Sequence, residues 1–291
     1  MHLIQQLING VAQGCIYGLI AMGFVLIYKA TETVSFVQGE LMMLGAFLGM
    51  VLITVAGFPY WLAVPTTLLA MVAFGMIIER VTVRPILGEP AFSIVMLTLG
   101  IGYVARGAIM MIPGLGTDLQ VLPVPYKDES LQIGGLTISA ERLVVLVVTA
   151  VLCLLLYIVF RHTRIGIAMQ AASQNQRAAY YMGIPVRQLN GLVWGLAAGV
   201  AAIAGLLLAP IVLLDSNMGF IGLKAFPAAV IGGLASVPGA LVGGVIIGVI
   251  ESIAGYTMAE GFKDIAAYVV VLIMLWVRPN GLFGDTARKK V

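Results

Sequence analysis

Charge is what this chain has least of. Only 10% of its 291 residues are Asp, Glu, Lys or Arg, whereas a soluble domain carries about 25%. Hydrophobic residues make up 61%, and mean hydropathy is +1.06. One core cannot hide that much apolar surface, so lipid is the expected solvent for much of it. Histidine occurs only at His2 and His162, both outside the apolar runs. That excludes histidine-based acid–base or metal chemistry within the membrane. Cysteine occurs only at Cys15 and Cys153, each inside an apolar run. Both read as small buried hydrophobes, and neither a disulfide framework nor a metal site is indicated. No G-x-x-x-x-G-K-[ST] phosphate loop, His-Glu-x-x-His or Gly-x-Ser-x-Gly motif occurs, so neither Walker-type ATP binding nor those hydrolytic chemistries are expected. No catalytic residue, metal or cofactor is assigned. The net charge is +3, and the basic residues gather in loops and the C-terminal tail. This pattern points to membrane topology and away from nucleic acid. The start, Met1-His-Leu-Ile-Gln-Gln, has no basic n-region and no cleavage site, so the first apolar helix is expected to be retained.

What the chain has in quantity is apolar runs, near 10–28, 33–56, 60–78, 90–112, 142–160, 189–209, 222–234, 238–257 and 264–277. Most approach the roughly 20 residues that span a bilayer as a helix. The expected fold is all-α, a single polytopic transmembrane helical bundle over 1–291 with about 8–9 membrane segments, some discontinuous or re-entrant. The run 222–234 is short and glycine-broken, and Ser35, Gln38, Gly39 and Glu40 interrupt the start of 33–56. Gly45 and Gly49, Gly195 and Gly199, and Gly244 and Gly248 are spaced for close helix packing. Tyr60, Trp61, Tyr103, Tyr157 and Trp276 read as interface anchors.

Lys/Arg excess marks cytoplasmic loops. Glu79–Glu89 carries Arg80 and Arg84, and the tail after Arg278 carries Arg288, Lys289 and Lys290. The segment Arg161–Gln188 carries Arg161, Arg164, Arg177 and Arg187 and no acid. All three are expected inside. Pro113–Glu141 holds Asp118, Asp128, Glu129 and Glu141 against Lys127 and is expected outside. Nine full crossings place the N-terminus outside, and eight place it inside.

The 161–188 segment also reads as helix-forming. Thr163 caps its start, and Gly183 before Pro185 stops it. Ala168, Ala172, Asn175, Ala179 and Met182 share one face at helical spacing. Gln170, Ser173, Gln174, Arg177 and Tyr181 share the opposite one. A small face beside a hydrogen-bonding face suits a surface helix that docks into a soluble partner, and a solvated connector is the alternative.

Polar groups inside a membrane are costly and need a reason. A helix that starts within the bilayer presents unpaired N–H groups and a positive dipole end, which can receive a carboxylate. Ser35–Gly39 opening into Glu40–Gly49, and Gly219–Gly222 opening into Lys224–Gly233, are candidates for such starts. Ser35, Gln38, Gly39, Glu40 and Gly222 are therefore candidate pathway residues, with glycine-mediated packing as the alternative. Arg106 sits late in an apolar run and is expected to snorkel to the outer interface in preference to pairing with Glu40 or Glu251. Lys224 is expected at an interface.

The stretch from Arg161 to Pro185, Arg-His-Thr-Arg-Ile-Gly-Ile-Ala-Met-Gln-Ala-Ala-Ser-Gln-Asn-Gln-Arg-Ala-Ala-Tyr-Tyr-Met-Gly-Ile-Pro, resembles the coupling loop of ABC-importer permeases. Gly18–Tyr28, Ser35–Gly45, Glu79–Pro85, Lys224–Gly244 and Arg278–Gly284 extend the likeness in order along the chain. Together they resemble the LivH-type permease of branched-chain amino-acid ABC importers. The resemblance implies a non-catalytic transport subunit of the bacterial inner membrane. It implies as partners two ATP-binding subunits, a second homologous permease and a periplasmic substrate-binding protein. It makes Arg164, Gly166, Ala168, Ala172, Asn175, Arg177, Ala179 and Gly183 the residues that meet the ATPase. The family usually reads Asn-Phe-Ala-His-Gly where this chain has Ser35-Phe-Val-Gln-Gly39. That departure leaves the cargo open to urea, amides or aromatic acids. A stand-alone secondary transporter is the rival of another class. Such carriers usually place acids mid-span, and here only Glu40 and Glu251 are candidates.

Overall fold

The computed structural model describes residues 2–116, 118–127, 129–133, 136–258 and 261–284. In chain order its elements are α1 (His2–Thr31), α2 (Gln38–Thr54), α3 (Tyr60–Ile78), α4 (Ala91–Met110), β1 (Ser130–Ile133), β2 (Leu136–Ser139), α5 (Ala140–His162), α6 (Arg164–Gln174), α7 (Gln176–Tyr181), α8 (Val186–Leu208), α9 (Ile221–Gly232), α10 (Val237–Thr257) and α11 (Phe262–Val277). Prolines 59, 90 and 185 stand immediately before α3, α4 and α8. There their missing N–H breaks no ladder and their fixed φ stops the preceding segment. Ser236 Oγ accepts from Gly239 N at 3.1 Å and starts α10, an ordinary side-chain cap.

Among the described residues, six helical stretches are long and apolar enough to cross a membrane: Ile4–Thr31, Tyr60–Ile86, Ala91–Met110, Ala140–His162, Val186–Leu208 and Val237–Thr257. The segments Gln38–Thr54, Met218–Gly232 and Ile265–Val277 are shorter and apolar. α1 and α10 run antiparallel at backbone contact. Gly10 meets Gly248 and Val249, Gly14 meets Gly244 and Val245, and Gly18 meets Leu241. Gly45 rests on Ala202, Gly49 on Leu206, and Gly195 and Gly199 on Val72. The four-residue glycine spacing therefore serves close packing, where lipid gives helices little hydrophobic reason to associate.

The chain is not wholly helical. β1 and β2 form an antiparallel hairpin with Ser130 opposite Ser139, inside the stretch read as a plain acidic loop. β-branched Ile133, Thr137 and Ile138 favour the extended backbone there. Gln5 Nε2 donates to Thr137 O at 3.2 Å, so the N-terminal end of α1 lies at the hairpin end of the bundle. Tyr60 and Tyr126 hydroxyls meet at 3.0 Å and tie the same loop to α3. Burial, with help from Tyr60, pushes the Tyr126 hydroxyl up, so it stays protonated.

α6, α7 and the Glu79–Ile86 turns lie at the opposite, arginine end. Glu79 is fully buried and accepts from Arg84 Nε and Nη2 at 3.2 and 2.7 Å. Arg84 Nη2 also donates to Arg187 O at 3.1 Å. Arg84 is thus a tie between the π-helical turn and the start of α8, beyond its part in the charge bias. The closing motif turns back on α9. Leu282 N donates to Ile231 O at 2.8 Å and Phe283 N to Gly232 O at 3.2 Å, which satisfies carbonyls that a helix end leaves unpaired. The tail residues Arg288, Lys289 and Lys290 lie outside the described residues, as does Asp128.

Candidate functional site

Two helix starts meet inside the bundle. α1 runs to Thr31, and the chain turns at Glu32, whose φ is +54°. It then climbs back without helix through Ser35 and Val37, both buried. α2 begins at Gln38, beside Gly23 of α1, about two helical turns inward from the end of α1 at 1.5 Å per residue. Irregular backbone at this depth is tolerated because protein covers it. The other start is the 3-10 turn Met218–Phe220 leading into α9. Gly39 and Gly222 sit backbone to backbone, and Gly39 also abuts Gly219 O. Any side chain at either glycine would drive the two helix starts apart.

Glu40 lies in the first turn of α2, with its carboxylate against Gly219. Both nearby helix starts offer a positive dipole end to it. Arg106 Nη2 donates to Glu40 Oε1 in an ion pair, and the Arg106 guanidinium lies 3.9 Å over the Phe220 ring. Gly102 leaves room for the Glu40 side chain to reach α4. The expected snorkelling of Arg106 does not occur. Its side chain faces the bundle, at 8% exposure, because the carboxylate and an aromatic face lie closer than the interface. The pair clamps α2, α4 and the start of α9 together. Removing one member would leave an uncompensated buried charge, typically at a cost of about 3–5 kcal/mol.

The clamp, the climbing turn and the first residue of α2 also bury polar atoms. Among the described residues, Ser35 Oγ, both amide atoms of Gln38, Glu40 Oε2 and Arg106 Nε make no hydrogen bond. Each such group costs roughly 1–3 kcal/mol while unsatisfied. Phe24, Phe36 and Phe226 stack around the same turn, with ring centroids 5.4 to 6.4 Å apart. Thr98 Oγ1 accepts from Phe36 N at 3.2 Å and fixes the climb from α4. Gly39, Glu40 and Gly222 therefore meet at the junction of the two helix starts, while the Gln38 amide faces Gly23 of α1 and Ser35 lies buried on the turn that leads in. Arg106 joins them through the pairing with Glu40 that was the less favoured alternative, and Thr98 and the three phenylalanines join them unforeseen. The lone charge in an apolar run was the available signal for Arg106. Lys224 and Glu251 lie elsewhere.

The 161–188 segment folds as two helices where one was expected. Thr163 Oγ1 accepts from Gly166 N at 3.1 Å, as a cap should. Asn175 then caps a second start, accepting from Ala178 N at 3.0 Å, and its extended backbone breaks the helix. Asn side chains compete with helix in this way. Gly183 has φ +81°, with Gly183 N donating to Tyr180 O and Ile184 N to Ala179 O, the paired bonds of a glycine helix stop. The small face is spent inside the chain. Gly166 presses on Phe160, and Met169, Ala172 and Ala179 are buried, with Ala168 half-buried. What faces outward is Arg164, Ile165, Ile167, Arg177, Tyr180, Tyr181 and Met182. Asn175 and Met182, assigned to the small face, are exposed. Gln176 Nε2 donates to Ala30 O at 2.6 Å, which links α7 to the end of α1 just before the climb toward Gln38.

A helical bundle with membrane-length apolar helices, two interior helix starts and a surface helical segment defines a multi-pass membrane protein built for transport. The chain belongs to the family described as branched-chain amino acid transport system / permease component, whose family model matches residues 6–277. It is of the LivH type. It is 30% identical to the high-affinity branched-chain amino acid transport system permease protein BraD of Pseudomonas aeruginosa, covering 100% of this chain and 98% of that one. Identity to LivH of Escherichia coli K12 is 29%, again over 100% and 98%. The probable LivH of Methanocaldococcus jannaschii is 28% identical over 93% of this chain and 89% of its own. Among solved structures, PsaBC from Streptococcus pneumoniae in complex with Fab shares the fold, with a TM-score of 0.50, 15% identity, and coverage of 97% of this chain and 94% of that one.

Proposed function

We propose that this chain is the membrane permease subunit of an ABC importer for branched-chain or closely related amino acids, resident in the bacterial inner membrane. It works with two ATP-binding subunits, a second homologous permease and a periplasmic binding protein. It performs no chemistry on its cargo. The observation that carries the reading is the group of unsatisfied buried polar atoms at Ser35, Gln38 and Glu40, set beside an aromatic cluster where two helix starts converge. A site of that kind offers hydrogen bonds to the polar end of an amino acid and ring faces to its apolar side chain.

Coupling runs through the α6–α7 segment, with Arg164, Gly166, Ala168, Ala172, Asn175, Arg177, Ala179 and Gly183 as its frame and Tyr180, Tyr181 and Met182 added on the outer face. Movement of this segment by the ATPase dimer pulls on Ala30 through Gln176. That tilts the end of α1 and the climbing turn that carries Ser35 and Gln38. On this reading the membrane segments number nine, with α2 and α9 discontinuous, the hairpin end outside and the arginine end inside.

Orientation is testable in a Cys15→Ala, Cys153→Ala background. Lys127→Cys is expected to react with a membrane-impermeant maleimide in intact cells or spheroplasts. Arg177→Cys is expected to react only after permeabilisation. Labelling of Arg177→Cys from outside would put α7 beyond the reach of any ATPase and overturn the coupling assignment.

A further inference from the structure

A second polar constellation lies at the hairpin end, away from the Gln38 site. A cavity of about 320 Å³ opens between α1, α5, α10 and α11, and Asn9, Gln13, Arg142, Glu251, Ser252 and Lys263 line it. That volume is at the lower end of the range for small-molecule sites. The lining follows from helical spacing. Gln6, Asn9 and Gln13 stack on one face of α1, and Gly248, Ser252 and Gly255 on the facing side of α10. Gly255 carries no side chain to fill the gap, and Gly248 lets α10 close on α1 beneath it. Arg142 Nη1 donates to Asn9 Oδ1. Ser252 Oγ donates to Gln6 O at 2.7 Å. Lys263 lies along Gly255, its Cδ near where a Cβ would stand. Glu251 is 1% exposed. Tyr17 donates to its Oε2 at 2.7 Å, and Gln13 donates to Tyr17 Oη at 3.2 Å.

Polar residues near a helix end often do no more than face lipid headgroups and water. Here they converge from four helices on one chamber, and one of them is a carboxylate held inside the bundle, which is costly without a role. The charges also select among ligands. Arg142 and Lys263 suit a carboxylate, and Glu251 with the amide oxygen of Gln13 suits an ammonium group. A simple cation meets two like charges, and a simple anion meets Glu251. A molecule carrying both groups meets neither conflict. We propose that this chamber is a binding site for a free zwitterionic α-amino acid. The proposal rests on the amino-acid importer reading.

The test is displacement of radiolabelled leucine from the purified, nucleotide-free complex without binding protein. The competitors are leucine, leucinamide and 4-methylpentanoate. Leucine is expected to compete at least tenfold better than either analogue. Glu251→Gln, which keeps an acceptor for Tyr17, should erase the preference over 4-methylpentanoate. Arg142→Gln should erase the preference over leucinamide. Gly255→Leu, which fills the chamber from a position with no backbone nearby, should abolish binding. Absence of saturable leucine binding to the wild type, or wild-type binding in all three variants, overturns the proposal. ATP-driven amino-acid uptake is measured in parallel. Uptake preserved while the variants bind normally sinks the chamber alone, whereas a complex that takes up no amino acid sinks the importer reading.

Discussion

Gly39→Val is expected to leave no folded protein in the membrane, and Gly222→Val the same. At each position an added Cβ would meet backbone: Gly219 and Gly222 for the first, Gly39 for the second. Overpacking usually costs about 1–3 kcal/mol because neighbouring side chains yield. Here the neighbours are main chain at two helix starts, so the cost exceeds that range. The same displacement would pull Glu40 off Arg106 and strand both charges. Gly100→Ala and Gly107→Ala are the controls, since nothing lies near their Cβ positions, and they should express and melt like the wild type. Detergent-solubilised yield and thermal unfolding read the difference. Normal melting of Gly39→Val would mean that the two helix starts do not touch.

The second large effect falls on the outer face of α6 and α7. Tyr181→Asp combined with Met182→Asp is expected to cut co-purification of the ATP-binding subunits by tenfold or more, with the permease still folded. Tyr181 and Met182 are 84% and 83% exposed, and exposed aromatic side chains beside Arg177 are the types that dominate interface energies. Losing about 2 kcal/mol there is a factor of about 30 in binding. Ala172→Trp should behave differently. Ala172 is 7% exposed and packs toward Leu26, Leu189 and Val193, so the added volume strains the permease itself and lowers its melting temperature. Full ATPase recruitment by the double aspartate variant would make α6–α7 a connector only.

Much of this was legible locally. The apolar runs mark most helices to within a few residues, because length and hydropathy decide what crosses lipid; α1 starts well before its run, at His2, and α2 well inside its own, at Gln38. Thr163 and Gly183 act as the caps their types imply. Gly39 and Gly222, which lie backbone to backbone, were singled out because polar and glycine residues interrupting an apolar run need a reason. What escaped depends on partners far along the chain. Arg106 and Glu40 are 66 residues apart, and no local pattern shows that they meet. The same holds for Ala172 and Ala179. Helical spacing put them on one small face, but it could not say that the chain's own helices would cover it. Asn175 was placed inside a helix because its neighbours favour one, yet its side chain caps a new start instead. The hairpin was legible and missed: Leu131, Ile133, Leu136 and Ile138 alternate with polar residues on either side of a Gly-Gly pair, a local hairpin pattern.

The most direct measurement is leucine uptake into proteoliposomes holding the permease pair and its ATP-binding subunits, with the binding protein supplied outside. Uptake should require hydrolysable ATP inside and no ion gradient. Gln38→Leu should lower it at least tenfold while the ATPase subunits still co-purify, since it removes the amide at the α2 start. Uptake that follows an ion gradient without ATP, or wild-type kinetics in Gln38→Leu, would contradict an ATP-driven pathway through the junction of α2 and α9.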